Sequence, residues 1–356
     1  MKPMQPFVLV SDIHLHNFTQ FDRPTEHGHG TRVEHTLQAL LEAAQAARTV
    51  NINRMVIAGD IFHVRGKLSP SVVNPFRDTL DLLVKSGFTI EMIPGNHDLE
   101  TENSYEHSSA IQFLRTENLV KVYSHPTITG DDIYFIPWTP DLNELKELLQ
   151  APPDTERCDL AVVMHAPVNG VIPGLPDTGL DPAWLTKLGY KAIFSGHYHR
   201  HVDFSNNVYS IGALNHHNFG DVGTKAGYMI VRDSGVLSIE QHETQAPRFV
   251  DHHPDLPHGE YAGHYVRATL TDSTITERER FRDELLNDGA LGVMVRNVKT
   301  APEYRTGESS ERAASSEGLL DIAKSYINER YPEGVQAERV YKQVERLLTK
   351  AEEATP

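Results

Sequence analysis

The sequence predicts an α+β protein built of layered sheets covered by helices. Three observations predict it. Short apolar, β-branched runs recur between residues 7 and 232, segments of helical spacing lie between several of them, and polar clusters follow the ends of five of the runs. At 356 residues the chain exceeds the size at which a single core stops growing, so one large domain with smaller appendages is expected.

The apolar runs place strands at 7–10, 54–58, 89–93, 132–136, 160–164, 192–195, 207–211 and 227–232. A helix fits 34–48, where Leu37, Leu40, Leu41 and Ala44 repeat at helical spacing. Another fits 72–86, closed by Gly87 as a left-handed cap, with Pro75 tolerated near its first turn. Shorter helices fit 110–116 and 142–150. After Arg232 the texture changes. Residues 245–263 are rich in His, Pro and Asp and read as a connector, and 265–270, 276–286 and 293–299 read as strand, helix, strand. Residues 300–318 are rich in Ser, Glu and Ala without periodicity, the composition of a flexible linker. Beyond it, Leu319, Ile322, Ala323, Tyr326 and Ile327 line one face of a helix that breaks at Pro332-Glu333-Gly334. Val340, Val344, Leu347, Leu348 and Ala351 line a second.

Composition narrows the function. Hydrophobic residues at 39% and charged residues at 23% describe a folded soluble chain. No window approaches the roughly 18 apolar residues of a membrane span, and the four-residue run from Phe7 is too short for a signal-peptide core. The chain is therefore expected to start at Met1 and stay in the cytoplasm, or the host cytoplasm if viral. Cys158 is the one cysteine, so neither an intramolecular disulfide nor a thiolate metal cluster is available, and it reads as a small buried hydrophobe. The net charge of −16 argues against a broad basic nucleic-acid surface. It leaves room for a DNA enzyme whose contacts are confined to a site where bound cations reverse the local field.

Five segments carry the chemistry: Ser11-Asp12-Ile13-His14, Gly59-Asp60-Ile61-Phe62-His63, Gly95-Asn96-His97-Asp98, Met164-His165 and Gly196-His197-Tyr198-His199. Each falls where a predicted strand ends, the edge at which loops of such sheets converge on a ligand. Carboxylate, amide oxygen and imidazole without thiolate suit Mn²⁺, Fe²⁺ or Zn²⁺ in a catalytic site. Seven ligands, Asp12, His14, Asp60, Asn96, His165, His197 and His199, are too many for one ion and suit two sharing a carboxylate. Such a pair acidifies water and neutralises phosphate oxygens, so the expected reaction is phosphoester hydrolysis. Taken singly the motifs are weak: Asp251-His252-His253 also fits D-x-H, and Gly130-Asp131 and Gly220-Asp221 also read G-D, outside any ordered set.

The ordered set D-x-H, G-D, G-N-H-D, H, G-H-x-H resembles the calcineurin-like metallophosphoesterase superfamily over residues 7 to about 232. The resemblance implies a four-layer α/β/β/α sandwich. It also implies that Asp12, His14 and His199 hold one ion, Asn96, His165 and His197 the other, and Asp60 lies between. His97 stands beside the metals, oriented by Asp98, to stabilise the transition state or protonate the leaving oxygen.

His63 in Gly59-Asp60-Ile61-Phe62-His63 looks like the repair nucleases of the SbcD type, where a histidine there positions or protonates the DNA phosphate. The protein phosphatase pattern G-D-x-V-D-R-G with G-N-H-E fails twice here. The stretch from Tyr209 to Phe219-Gly220-Asp221 is loosely similar to the Y-x-G-S to F-G-E segment of the same nucleases. The resemblance implies a nuclease domain at 1–245, a small αβ capping domain at 246–300, a linker at 301–318 and C-terminal helices at 319–356, placed either to grip an SbcC-type coiled-coil ATPase or to fold back as a helical hairpin on the protein's own body. It implies two copies per assembly, DNA as substrate and two divalent ions, Mn²⁺ first, with Mg²⁺, Fe²⁺ or Zn²⁺ as alternatives. Arg65, Lys67 and Arg200 are candidates to meet the DNA backbone, or plain surface charges. Two other readings stay open: a phosphodiesterase or phosphatase for small molecules, and a scaffold of the same fold without activity.

Overall fold

The structure is a computed structural model that describes residues 3–101, 109–115, 120–130, 132–152, 157–300 and 342–343. The chain divides into two compact units, Met1–Lys299 and Thr300–Pro356. Every described strand belongs to the first. The linker and the C-terminal helices expected at 301–318 and 319–356 lie outside the described residues, apart from 342 and 343.

The first half of the unit runs β1 (Phe7–Val10), α1 (Thr31–Thr49), β2 (Arg54–Ala58), α2 (Pro70–Lys85), β3 (Thr89–Ile93), β4 (Val120–Val122), β5 (Thr127–Thr129) and β6 (Ile133–Ile136). It continues with α3 (Leu142–Gln150), β7 (Ala161–His165), α4 (Pro182–Lys187), β8 (Ala192–Gly196), β9 (Val202–Asp203), β10 (Val208–Ser210), β11 (Gly227–Asp233) and β12 (Leu237–Glu243). Then come β13 (Phe249–Asp251), β14 (Tyr265–Thr271), α5 (Ile275–Asn287) and β15 (Gly292–Val298).

These elements form two six-stranded sheets, ordered β12-β11-β1-β2-β3-β4 and β5-β6-β7-β8-β10-β9, and a three-stranded sheet β13-β14-β15. Strand periodicity explains the layering. In β1, Phe7 and Leu9 face the second sheet, where they meet Phe135, Val163 and Phe194. Val8 and Val10 face the other way, into a core shared with Val33, Leu37 and Leu40 of α1 and Val72, Phe76 and Leu80 of α2. On the far side of the second sheet, Tyr134, Ile136 and Val162 pack on Leu145 and Leu149 of α3 and Leu185 of α4. Helix, sheet, sheet, helix is the four-layer sandwich that the resemblance implied. Each fully buried Phe or Leu in these layers contributes roughly 1.5–3 kcal/mol.

Several elements depart from the sequence expectations. Helix α2 begins at Pro70, whose fixed φ suits the first helical position, so Pro75 lies in the second turn rather than the first. At 110–116 the described residues hold only a 3₁₀ turn, Gln112–Leu114. The stretch 245–263 contains β13 and a 3₁₀ turn, His258–Tyr261, because Phe249 pairs into the third sheet beside Tyr265. Cys158 is exposed on a 3₁₀ turn rather than buried. Among the described residues no helix is long and apolar enough to cross a membrane.

Candidate metal centre

Parallel strands β1, β2 and β3 of one sheet and β7 and β8 of the other end at one edge of the sandwich. The chain turns sharply as it leaves them. Asp12, His14, Asp60 and His197 all take positive φ, 51°, 45°, 51° and 102°. Such backbone costs on the order of 1–3 kcal/mol per non-glycine residue and persists only where surrounding bonds fix it. Here they do: Asp12 N–H donates to the Gly59 carbonyl at 3.1 Å and His14 N–H to the Asp60 carbonyl at 2.9 Å. His197 N–H donates to the Asp12 carboxylate at 3.1 Å.

Asp60 stands at the middle of the site and is 1% exposed. Its Oδ2 lies 3.5 Å from His14 Nε2 and 3.3 Å from His165 Nε2. Asn96 Oδ1 lies 3.2 Å from His165 Nε2 and 3.0 Å from His197 Nδ1. The ligand atoms of Asp12, His14 and His199 fall within 4.8 Å of one another, as do those of Asp60, His165 and His197. The seven residues that the sequence grouped are thus brought together, as two clusters that share Asp60 as neighbour. The donor set fits a pair of divalent ions: buried carboxylates and imidazoles from separate strand ends converge with ligand atoms facing one another.

The buried carboxylates and imidazoles shift one another strongly. Burial alone pushes His165 down, but Asp60 and then Asp12 outweigh it and raise the imidazole to about 9. Burial raises Asp60, yet His165, His14 and His97 hold it far below the usual carboxylate range. Burial, reinforced by His165, drives His197 down to about 3. The His165 Nδ1–H donates to the Ala58 carbonyl at 2.8 Å, which leaves Nε2 toward Asp60 and Asn96.

His97 and His63 lie beside this set. Their rings stack at 5.6 Å and 17°, and His63 Nδ1 approaches His14 Nδ1 at 3.4 Å. The His97 Nδ1–H donates to the His63 carbonyl at 2.7 Å and its backbone N–H donates to Asp60 at 2.8 Å. Asp98, expected to orient His97, does something else. Its buried carboxylate accepts from the N–H groups of Ile61, Phe62 and Gly95, so it ties the β2 loop to the β3 loop. A fully buried carboxylate is drawn to those donors because they are the ones the tight loops leave unpaired. Burial, and then Asp60, still push it up to about 7. Arg65 Nε donates to the Asn96 carbonyl at 2.9 Å, so this side chain braces the Asn96 loop, whereas Lys67 and Arg200 are exposed.

Three residues of the site escaped the sequence reading. Asp221, set aside with the chance G-D pairs, accepts from His199 Nδ1 at 2.9 Å. His217 is buried and its Nε2–H donates to the Asp12 carbonyl at 2.9 Å. Trp138 lays its ring 5.2 Å from that of His197. Only the similarity of Phe219-Gly220-Asp221 to a nuclease segment hinted at the first.

The family model for calcineurin-like phosphoesterases matches residues 5–201. Exonuclease subunit 1 of Enterobacteria phage T4 is 30% identical over 183 residues, 49% of this chain and 52% of that one. DNA double-strand break repair protein Mre11 of Nanoarchaeum equitans (strain Kin4-M) is 24% identical over 218 residues, 53% of this chain and 56% of that one. The chain therefore spans about half the length of the curated relatives it matches. Among solved structures, TT1561 of Thermus thermophilus is similar with a TM-score of 0.37 and 12% identity, covering 67% of this chain and 99% of that one.

Proposed function

We propose that this chain, which belongs to the calcineurin-like phosphoesterase family, hydrolyses phosphodiester bonds of DNA with two divalent ions. The observation that carries the reading is Asp60, whose one oxygen lies within 3.5 Å of imidazoles from both clusters. Two ions bound there supply an acidified water and neutralise phosphate oxygens. Asp12, His14 and His199 would hold one, Asn96, His165 and His197 the other, with Asp60 placed to serve both. His97 keeps its Nδ1–H on the His63 carbonyl, so Nε2 is the nitrogen left to hold or deliver a proton at a phosphate or leaving oxygen. His63, packed on His97 and His14, backs that ring and meets the substrate at the same rim.

DNA as substrate is supported by two relatives, one called an exonuclease subunit and the other a DNA double-strand break repair protein. On this reading Mn²⁺ is the working ion, residues 1–245 form the nuclease domain and 246–300 a cap over the DNA groove. Residues 301–318 are a linker, 319–356 engage an SbcC-type coiled-coil ATPase, and two copies assemble. Lys67, Arg200 and the exposed part of Arg65 lie along the DNA backbone. The net charge of −16 favours a second reading, hydrolysis of small phosphoesters, which needs neither cap nor partner.

The test is degradation of linear DNA by the purified chain with Mn²⁺, against Asp60→Ala and His97→Ala. Loss of about 10²-fold or more in both variants is expected. Turnover of a small phosphodiester alone, with DNA untouched, would leave the second reading standing. Recovery of a large coiled-coil ATPase with the full chain, but not with one ended near Gly318, tests the partner.

A further inference from the structure

Resting on the two-ion reading above, we infer that Asp221 is a positioning residue for one of the two ions, that of Asp12, His14 and His199, and that the other ion does not depend on it. A carboxylate only accepts, so its 2.9 Å contact with His199 Nδ1 fixes the hydrogen on that nitrogen and leaves Nε2 as the ligand atom. The carboxylate itself is clamped. Its second oxygen accepts from the backbone N–H of His217 at 2.7 Å and of Asn218 at 3.1 Å, so it cannot swing away from the imidazole.

The same loop holds a second donor of that ion. His217 Nε2–H reaches the Asp12 carbonyl at 2.9 Å, and Leu214 N–H reaches the Ser11 carbonyl at 3.1 Å. Arg32 in turn donates to the His217 carbonyl at 2.5 Å. Phe219, two residues before Asp221, packs on Phe249 at 4.9 Å under the Arg267 guanidinium, which is 4.9 Å from its ring centre. The loop is thus pinned by the third sheet on one side and pins Asp12 and His199 on the other. In the second cluster, His165 is fixed by the Ala58 carbonyl and the Asn96 backbone by Arg65, while the His197 N–H rests on the Asp12 carboxylate and not on Asp221. Asp221 makes no hydrogen bond to Asn96, His165 or His197 among the described residues.

The experiment is Co²⁺ titration of the metal-free full chain, followed by visible absorption and calorimetry. The wild type takes up two ions. Asp221→Asn is expected to keep one at wild-type affinity and to weaken the other about 10–100-fold. The same change made on His199→Ala should add nothing, because both act on one donor. Two ions at wild-type affinity in Asp221→Asn overturn the assignment, and so does equal weakening of both, which would mean that the carboxylate supports the loop alone. If Asp221→Asn does not fold without metal, Asp221→Glu keeps the charge and displaces it by one methylene. The same selective weakening is expected there, and its absence overturns the assignment. A wild-type chain that binds fewer than two Co²⁺ overturns the two-ion reading itself, and this assignment with it.

Discussion

His165 illustrates how a single residue couples the centre to pH. Its imidazole, raised to about 9 by Asp60 against burial, carries in the folded metal-free protein a proton that the unfolded chain loses near 6.5. The stabilisation is fully present below 6.5 and disappears as pH rises through 9. We therefore expect the metal-free protein to lose stability across this window, at a slope of up to about 1.4 kcal/mol per pH unit, measured by denaturant titration. Metal affinity should rise over the same window, because an ion must displace that proton. A flat profile in Asp60→Asn is the matching control. His217 acts at the other end of the scale. Burial, then His199, lower it to about 3, so the unfolded chain takes up a proton between 6.5 and 3 that the folded one refuses. Stability should therefore fall with acid, and less steeply in His217→Gln. Asp98 makes a different prediction. Replacing it with Ala strands three buried N–H donors, at a cost of about 3 kcal/mol or more in unfolding free energy.

At the level of elements, what matters is how closely the strand ends approach each other. Gly196 closes β8 where a methyl group would overlap Ser11 Oγ, the Ala58 carbonyl oxygen and the His165 ring. Gly196→Ala should destabilise the protein by about 1–3 kcal/mol and reduce its bound metal, read by melting temperature and metal analysis together. The strands that the sequence revealed include the central ones of both six-stranded sheets, β1, β2, β3, β6, β7, β8, β10 and β11, together with β14 and β15, and most of the central ones are buried and predominantly apolar. Those it hid are marginal. The seven residues of β12, LSIEQHE, are polar enough to be lost among loops, and β4, β5, β9 and β13 are three residues or fewer. Too few residues repeat in such strands for a period of two to emerge.

For the molecule as a whole, the junction between the sandwich and the third sheet is aromatic. Phe21 stacks on Tyr265 at 5.4 Å and 9°, Phe249 packs on Phe219 and Tyr265, and the Arg32 guanidinium lies over Phe18, Phe249 and Tyr265. Phe249 is 1% exposed, so Phe249→Ala should lower unfolding free energy by about 3–5 kcal/mol. Because the Asp221 loop rests on this junction, the variant should also lose affinity for the ion near His199 before the other, a second readout in the same Co²⁺ titration.

The sequence by itself determined the layers, the edge at which the strands end and the seven polar residues gathered there. Those properties are local: apolar runs dictate strands, and strand ends dictate where turns deliver side chains. Tertiary structure alone decided what braces those side chains. Asp98 bonds to loop amides rather than to His97, Asp221 holds His199 across 22 residues and His217 holds Asp12 across 205, pairings that no spacing encodes. They arise because burial leaves each donor and acceptor to find whichever partner the packed layers bring within reach.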